Sequence, residues 1–189
     1  MENLLSYIPL DIALIAENFD RFLYGVWVTL NLTFLSLLLG GLLSIPMAIA
    51  RASKHRVFNP LVQGYTYVFR GTPLLVQTYL IYYGVGQFEV IRESFLWDPI
   101  LSSAWWCALI AFTLNTAAYT TELLRGAIAD TPTGEVEAAI ATGHSYRSRL
   151  RRIILPSAFR RAIPAYSNEV IFMLHGLVIA STITLQDIL

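Results

Sequence analysis

The chain has one cysteine, three histidines and few charges: its 189 residues carry 13 Lys and Arg and 13 Asp and Glu, for a formal net charge of zero. A single cysteine cannot pair within the chain, and Cys107, inside an apolar stretch, reads as a small packing residue. His55, His144 and His175 stand at no metal-ligand spacing to one another or to a cysteine, so no metal is expected. There is no Gly-x-x-x-x-Gly-Lys phosphate loop and no nucleophile elbow. The chain therefore cannot bind or cleave ATP by itself, and no catalytic residue or cofactor is assigned. No basic residue precedes Arg21, so Met1 to Asp20 lacks the charged start of a cleavable signal peptide.

What is abundant is apolar surface: hydrophobic residues make up 56% of the chain, and the charges are clustered. Phe22 to Ala50 are 29 uncharged residues, ample for the roughly 20 that cross a bilayer. From Val57 to Phe88 only Arg70 is charged, from Pro99 to Thr121 nothing is, and from Ala162 to Leu185 only Glu169 is. The expectation is an all-α, polytopic transmembrane helical bundle of about four spans. Ten basic residues, Arg51, Lys54, Arg56, Arg125, Arg147, Arg149, Arg151, Arg152, Arg160 and Arg161, fall on one side of it, which the positive-inside rule makes cytosolic. Glu2, Asp11, Glu17, Asp20, Glu89, Glu93, Asp98 and Asp187 fall on the other with Arg21 and Arg92, so the N-terminus is expected outside. Topology thus accounts for the basic residues, making membrane lipid an expected partner and nucleic acid an unexpected one. Leu4, Leu5, Ile8, Ile12 and Ile15 lie at helical spacing, which fits an interfacial segment over residues 1–21; a partly disordered start fits as well.

A polar, arginine-rich interruption covers residues 134–156. Glu135 to Thr142 is good helix-forming sequence, Gly143 can end that helix, Ser145 can cap a second through Ile154, and Pro156 is expected to stop it. Two short helices jointed at a glycine make a knob with a basic collar, suited to a groove on another protein. An ordinary loop with topological arginines is the plainer alternative.

Three ionisable groups lie at membrane depth, where charge is expensive and faces a cavity or a partner: Arg70, Glu122 and Glu169. Asn115, Tyr119 and Glu122 recur at intervals of four and three, on one helical stripe. Asn168 and Glu169 lie seven and eight residues beyond Arg161, roughly 11–12 Å along a helix. The two carboxylates could converge on a cationic group, or Glu122 could pair with Arg125 or Arg70 while Glu169 bonds a neighbouring helix. Arg70, Gly71, Thr72 and Pro73 interrupt the second span, either as a broken helix beside a pathway or as a kink with Arg70 snorkelling or salt-bridged.

The spacing Glu137-Ala138-Ala139, three residues, Gly143, nine residues, Ile153, one residue, Leu155-Pro156 resembles the signature loop of permease subunits in bacterial ATP-driven importers. Arg70-Gly71-Thr72-Pro73-Leu74-Leu75-Val76-Gln77, Asn115 to Glu122, and Pro164-Ala165-Tyr166-Ser167-Asn168-Glu169 are similar to the polar amino-acid permeases. Within them the chain is most similar to the arginine and histidine/lysine/arginine/ornithine branch, notably at Gly86-Gln87-Phe88 and Ala104-Trp105-Trp106-Cys107-Ala108. The resemblance implies a bacterial inner-membrane subunit, one transmembrane domain over residues 1–189, that pairs with an identical or homologous permease. It also implies binding to cytosolic ATP-binding subunits through residues 134–156, and receipt of solute from a periplasmic binding protein. Similar permeases continue beyond Thr182 to Asp187 into a fifth span, which a chain ending at Leu189 is expected to lack, and His175-Gly176-Leu177-Val178 departs from their usual pattern. The expected solute residues are Asn115, Tyr119, Glu122, Asn168 and Glu169; the expected coupling residues are Glu137, Ala138, Ala139, Gly143, Ile153, Leu155 and Pro156. A membrane enzyme or an assembly subunit without a solute path are the competing classes, and neither explains the loop spacing.

Overall fold

The structure is a computed structural model that describes residues 19–183 apart from Lys54 and Leu96. The interfacial segment expected over residues 1–21 lies outside the described residues but for its last three, which already belong to the first helix.

That helix, α1, runs Phe19–Ala52, with Asp20 in its first turn and Arg51 in its last, each complementing the helix dipole. Its pattern is the inverse of a soluble helix. The buried positions are mostly small or hydroxylated, Gly25, Thr33, Ser36, Gly40, Ser44 and Ala48, whereas Phe22, Trp27, Phe34 and Leu42 are exposed. Lipid offers no hydrophobic drive to bury leucine, so close backbone approach through small residues holds such helices together. A Cβ at Gly40 would stand 2.8 Å from Thr116 Cγ2 and 3.0 Å from the Thr113 carbonyl, so glycine is required where α1 crosses the central helix.

Two shorter helices follow, α2 at Phe58–Gly71 and α3 at Leu74–Tyr79, the latter continued by a π-turn over Leu80–Gly84 and a 3-10 turn over Val85–Gln87. Between them Thr72 (φ −112°, ψ 142°) and Pro73 (φ −61°, ψ 139°) are extended, so the second span is broken rather than kinked. The single turn α4, Glu89–Arg92, and a π-turn over Trp97–Leu101 lead to α5, Ala104–Ala129. α5 is the axis of the molecule: α1 packs along it most extensively, and α2, α3 and the C-terminal helix also lie against it. Its buried residues include Phe112, Ala117 and Ala118 but also Thr113, Asn115, Thr116, Thr120 and Thr121.

The knob consists of α6, Thr133–Ala141, and α7, Tyr146–Arg149. Gly143, at φ +77°, closes α6 with its own N–H on the Ile140 carbonyl (2.9 Å) and the His144 N–H on the Ala139 carbonyl (3.0 Å). Ser145 caps α7, its hydroxyl accepting from the Ser148 N–H at 3.4 Å. The stop expected at Pro156 does not occur. A π-turn over Leu150–Ile154 runs into α8, Leu155–Gly176, and helical backbone is continuous from Tyr146 to Ala180. Proline removes an N–H and crowds the carbonyl four residues back; the wider π-turn, together with the position of Pro156 in the first turn of α8, absorbs both effects.

Among the described residues, two helices, α1 (mean hydropathy 2.1) and Tyr146–Ala180 (1.3), are long and apolar enough by length and composition alone to cross a membrane, against four spans counted from charge-poor stretches. The other two are the broken α2–α3 pair and α5, whose hydropathy is lowered by polar side chains turned into the protein.

Candidate functional site

The break between α2 and α3 exposes backbone groups that the apolar phase cannot satisfy, and Gln77 meets two of them. Gln77, 6% exposed, donates from Nε2 to the Phe69 carbonyl (2.7 Å), the Thr72 carbonyl (3.0 Å) and the Thr72 hydroxyl (2.8 Å). Its Oε1 accepts from Asn115 Nδ2 at 3.0 Å, stapling the break to α5. Sequence reasoning assigned Gln77 no role; the available signal was an amide in an apolar stretch four residues past a mid-span proline.

Beside the staple lies a cavity of about 510 Å³ whose lining includes Arg70, Gly71, Thr72, Pro73, Asn115, Tyr119, Asn168 and Glu169. All four residues of the break and four of the five expected solute residues thus share one space. The Arg70 guanidinium lies over the Tyr119 ring, 5.3 Å from its centroid, and the Tyr119 hydroxyl donates to the Arg70 carbonyl at 3.4 Å. Glu169, on α8, accepts from the Thr116 hydroxyl at 3.4 Å. Arg70 and Glu169 line the same cavity without forming an ion pair; among the described residues the ion pairs are both made by Glu122.

Glu122 does not line this cavity. It lies one turn further along α5 than Tyr119, where Arg51 Nε donates to Oε1 (2.9 Å), Arg125 Nε to Oε2 (2.6 Å) and the Thr66 hydroxyl to Oε1 (3.0 Å). Arg51 also reaches Asn59 Oδ1 at 2.6 Å, so the cluster ties α1, α2 and α5 together. The pairing with Arg125 follows from i, i+3 spacing; that with Arg51, 71 residues away, was not legible in the sequence, which offered Arg70 instead.

Because Arg51 ends α1 and contacts Glu122 near the end of α5, the knob that follows α5 stands at the Arg51 end of the molecule. Glu137, Ala138, Gly143 and Pro156 are exposed, Ile153 and Leu155 are partly buried, and Ala139 is buried. Arg161 braces the two helices that flank the knob: Nη2 donates to the Ala127 carbonyl (2.8 Å) and the Thr131 hydroxyl (2.9 Å), and Nη1 to the Ser157 hydroxyl (2.5 Å). The end of α5 and the start of α8 are thereby linked across the base of the elbow.

Residues 40–189 match the family described as the inner membrane component of binding-protein-dependent transport systems. The chain belongs to that family. This permease is 47% identical over 180 residues to the nopaline transport system permease protein NocM of Agrobacterium fabrum, an alignment covering 95% of the chain and 74% of the relative. It is 46% identical over 165 residues to the histidine/lysine/arginine/ornithine transport system permease protein HisM of Escherichia coli K12, covering 87% of the chain and 69% of the relative. Among solved structures, an amino acid ABC transporter crystallised with histidines superposes with a TM-score of 0.80 at 32% identity, covering 95% of this chain and 79% of that one. The methionine ABC transporter MetNI shares the fold at a TM-score of 0.67 and 20% identity, over 84% of this chain and 72% of that one. The permease is thus a transport component of the inner membrane and not an enzyme, and its family implies ATP-binding subunits and a partner permease beside it.

Proposed function

We propose that the permease moves a cationic amino acid, of the arginine, histidine, lysine and ornithine class, inward through the cavity beside the helix break. The observation that carries this reading is the Glu169 carboxylate, which forms no close ion pair among the described residues and lines the same space as Arg70. A carboxylate outside any close ion pair suits a guanidinium or ammonium side chain, and Arg70, held by Tyr119, suits the solute's carboxylate. Asn115, Tyr119 and Asn168 complete the wall. The names of the relatives, among them the HisM permease, support the cationic class.

In the proposed mechanism two cytosolic ATP-binding subunits close on ATP, each carrying a knob of residues 134–156, and a second permease, identical or homologous, completes the path. Because Arg161 braces α5 to α8, displacement of the knob is passed to two of the helices that carry cavity residues, α5 with Asn115 and Tyr119 and α8 with Asn168 and Glu169. Solute is delivered by a periplasmic binding protein. The N-terminus lies outside and the knob inside, an orientation supported by the basic residues concentrated at the knob's end. Residues 1–189 act as one transmembrane domain.

The test is Glu169→Gln in the assembled complex in proteoliposomes. Arginine uptake is expected to fall about tenfold to a hundredfold, equivalent to the roughly 1.5–3 kcal/mol of a hydrogen bond to a charged group, with glutamine uptake little changed. Equal losses for both solutes reject the charge-pairing role. For the knob, Gly143→Val places a β-branched residue at φ +77° and is expected to abolish co-purification with the ATP-binding subunits; retained binding overturns the docking role.

A further inference from the structure

We infer that Gln77 is a positioning residue that sets the hydrogen-bonding polarity of the cavity wall through Asn115, and so favours cationic solutes; this rests on reading the cavity as the solute path. An amide can be turned either way, but here the surroundings allow one orientation. Three oxygens, the Phe69 carbonyl, the Thr72 carbonyl and the Thr72 hydroxyl, lie within 3.0 Å of one end of the Gln77 amide. If Oε1 were at that end it would face two carbonyl oxygens that have no proton to give, so Nε2 must occupy it. Oε1 is then committed to the other end, where it can only accept.

Asn115 supplies the donor: its Nδ2 points to Gln77 Oε1 at 3.0 Å, and this fixes the second amide in turn. Asn115 Oδ1 is left as an acceptor engaged by no hydrogen bond among the described residues, on a residue that lines the cavity. The next residue, Thr116, donates to Glu169. The wall therefore presents the Glu169 carboxylate from α8 and the Asn115 amide oxygen from α5, two acceptors lining one cavity and suited to a multiply donating cation. Reversal of the first amide would turn the second and put an N–H where the acceptor stands. The helix break does more than open a path: its unsatisfied carbonyls orient Gln77, and Gln77 orients Asn115.

The experiment measures the ratio of arginine to citrulline uptake in proteoliposomes of the full importer. Citrulline keeps the length and planarity of arginine but carries a neutral ureido group, and a ratio is independent of how much complex folds. In Gln77→Met the ratio is expected to fall about tenfold, with the change in KM rather than in maximal rate. In the milder Gln77→Asn, which keeps an amide one methylene short, the fall should be smaller. Asn115→Leu should lower the ratio as far as Gln77→Met does, and the double variant no further, because the two residues act in series. A relay is overturned if Gln77→Met lowers both uptakes alike, as a purely structural role would, or if the two losses multiply in the double variant. Glu169→Gln separates the two levels. An unchanged ratio there with a lowered one in Gln77→Met rejects the cavity carboxylate and keeps the relay, and the converse rejects the relay alone.

Discussion

Glu122 and Glu169 are both carboxylates in apolar stretches, and each accepts a threonine hydroxyl, Thr66 for the first and Thr116 for the second. They differ in their cations. Glu122 holds Arg51 and Arg125 in a cluster joining three helices, whereas Glu169 forms no close ion pair among the described residues and lines a cavity shared with Arg70. A carboxylate locked in close ion pairs serves the fold; one that no cation contacts closely is available to a solute. Membrane depth marks both residues as important but does not say which role each has.

The comparison breaks first at selectivity. Glu169→Gln should give the largest effect, the tenfold to hundredfold loss of arginine uptake set out above, with little change in the melting temperature of the detergent-solubilised complex. Glu122→Gln should do the opposite. Removing that charge leaves Arg51 and Arg125 without an anion, at a cost of about 1–3 kcal/mol, less than for a fully buried pair because Arg125, at 37% side-chain exposure, can turn to water. Its signature is a lower melting temperature with an unchanged arginine-to-citrulline ratio. If Glu122→Gln shifts the ratio and Glu169→Gln shifts the melting temperature, the two roles have been assigned the wrong way round.

How far these roles could be read from sequence depends on the range of the interaction that decides them. Gly143 and Ser145 were legible as helix end and cap because both effects act within one turn, and an interruption at Thr72 and Pro73 because proline acts on its neighbours, though not whether it breaks or kinks the span. The stripe of Asn115, Tyr119 and Glu122 was legible as a helical face, but not the point along it at which the cavity ends. That point is fixed by Arg51 arriving from α1, a contact between residues 71 apart. Gln77 was missed for the same reason, since its partner Asn115 is 38 residues away. Pro156 was misjudged in the other direction: a strong local rule was overridden by the π-turn ahead of it. The span at α5 was legible from its lack of charge, but not that its buried polar side chains pack against other helices rather than in lipid.

The smallest change that still separates the two carboxylates is loss of their threonine donors. Thr116 is fully buried where α1 crosses α5, its methyl against Gly40, so Thr116→Val keeps the contact and deletes only the hydroxyl. A net hydrogen bond contributes about 0.5–1.5 kcal/mol, and at 3.4 Å this one belongs at the low end. An ionised carboxylate offers roughly four acceptor sites, so the hydroxyl does not compete with a solute; it orients the carboxylate toward the cavity. Thr116→Val should therefore raise the KM for arginine about twofold to threefold, the equivalent of roughly 0.5 kcal/mol. Thr66→Val, which removes the corresponding donor from Glu122, should leave that KM unchanged, since two arginines still hold the carboxylate. A fall in KM for Thr116→Val would instead identify the hydroxyl as a competitor that the incoming cation displaces, and the cavity carboxylate as one that the protein partly satisfies in its empty state.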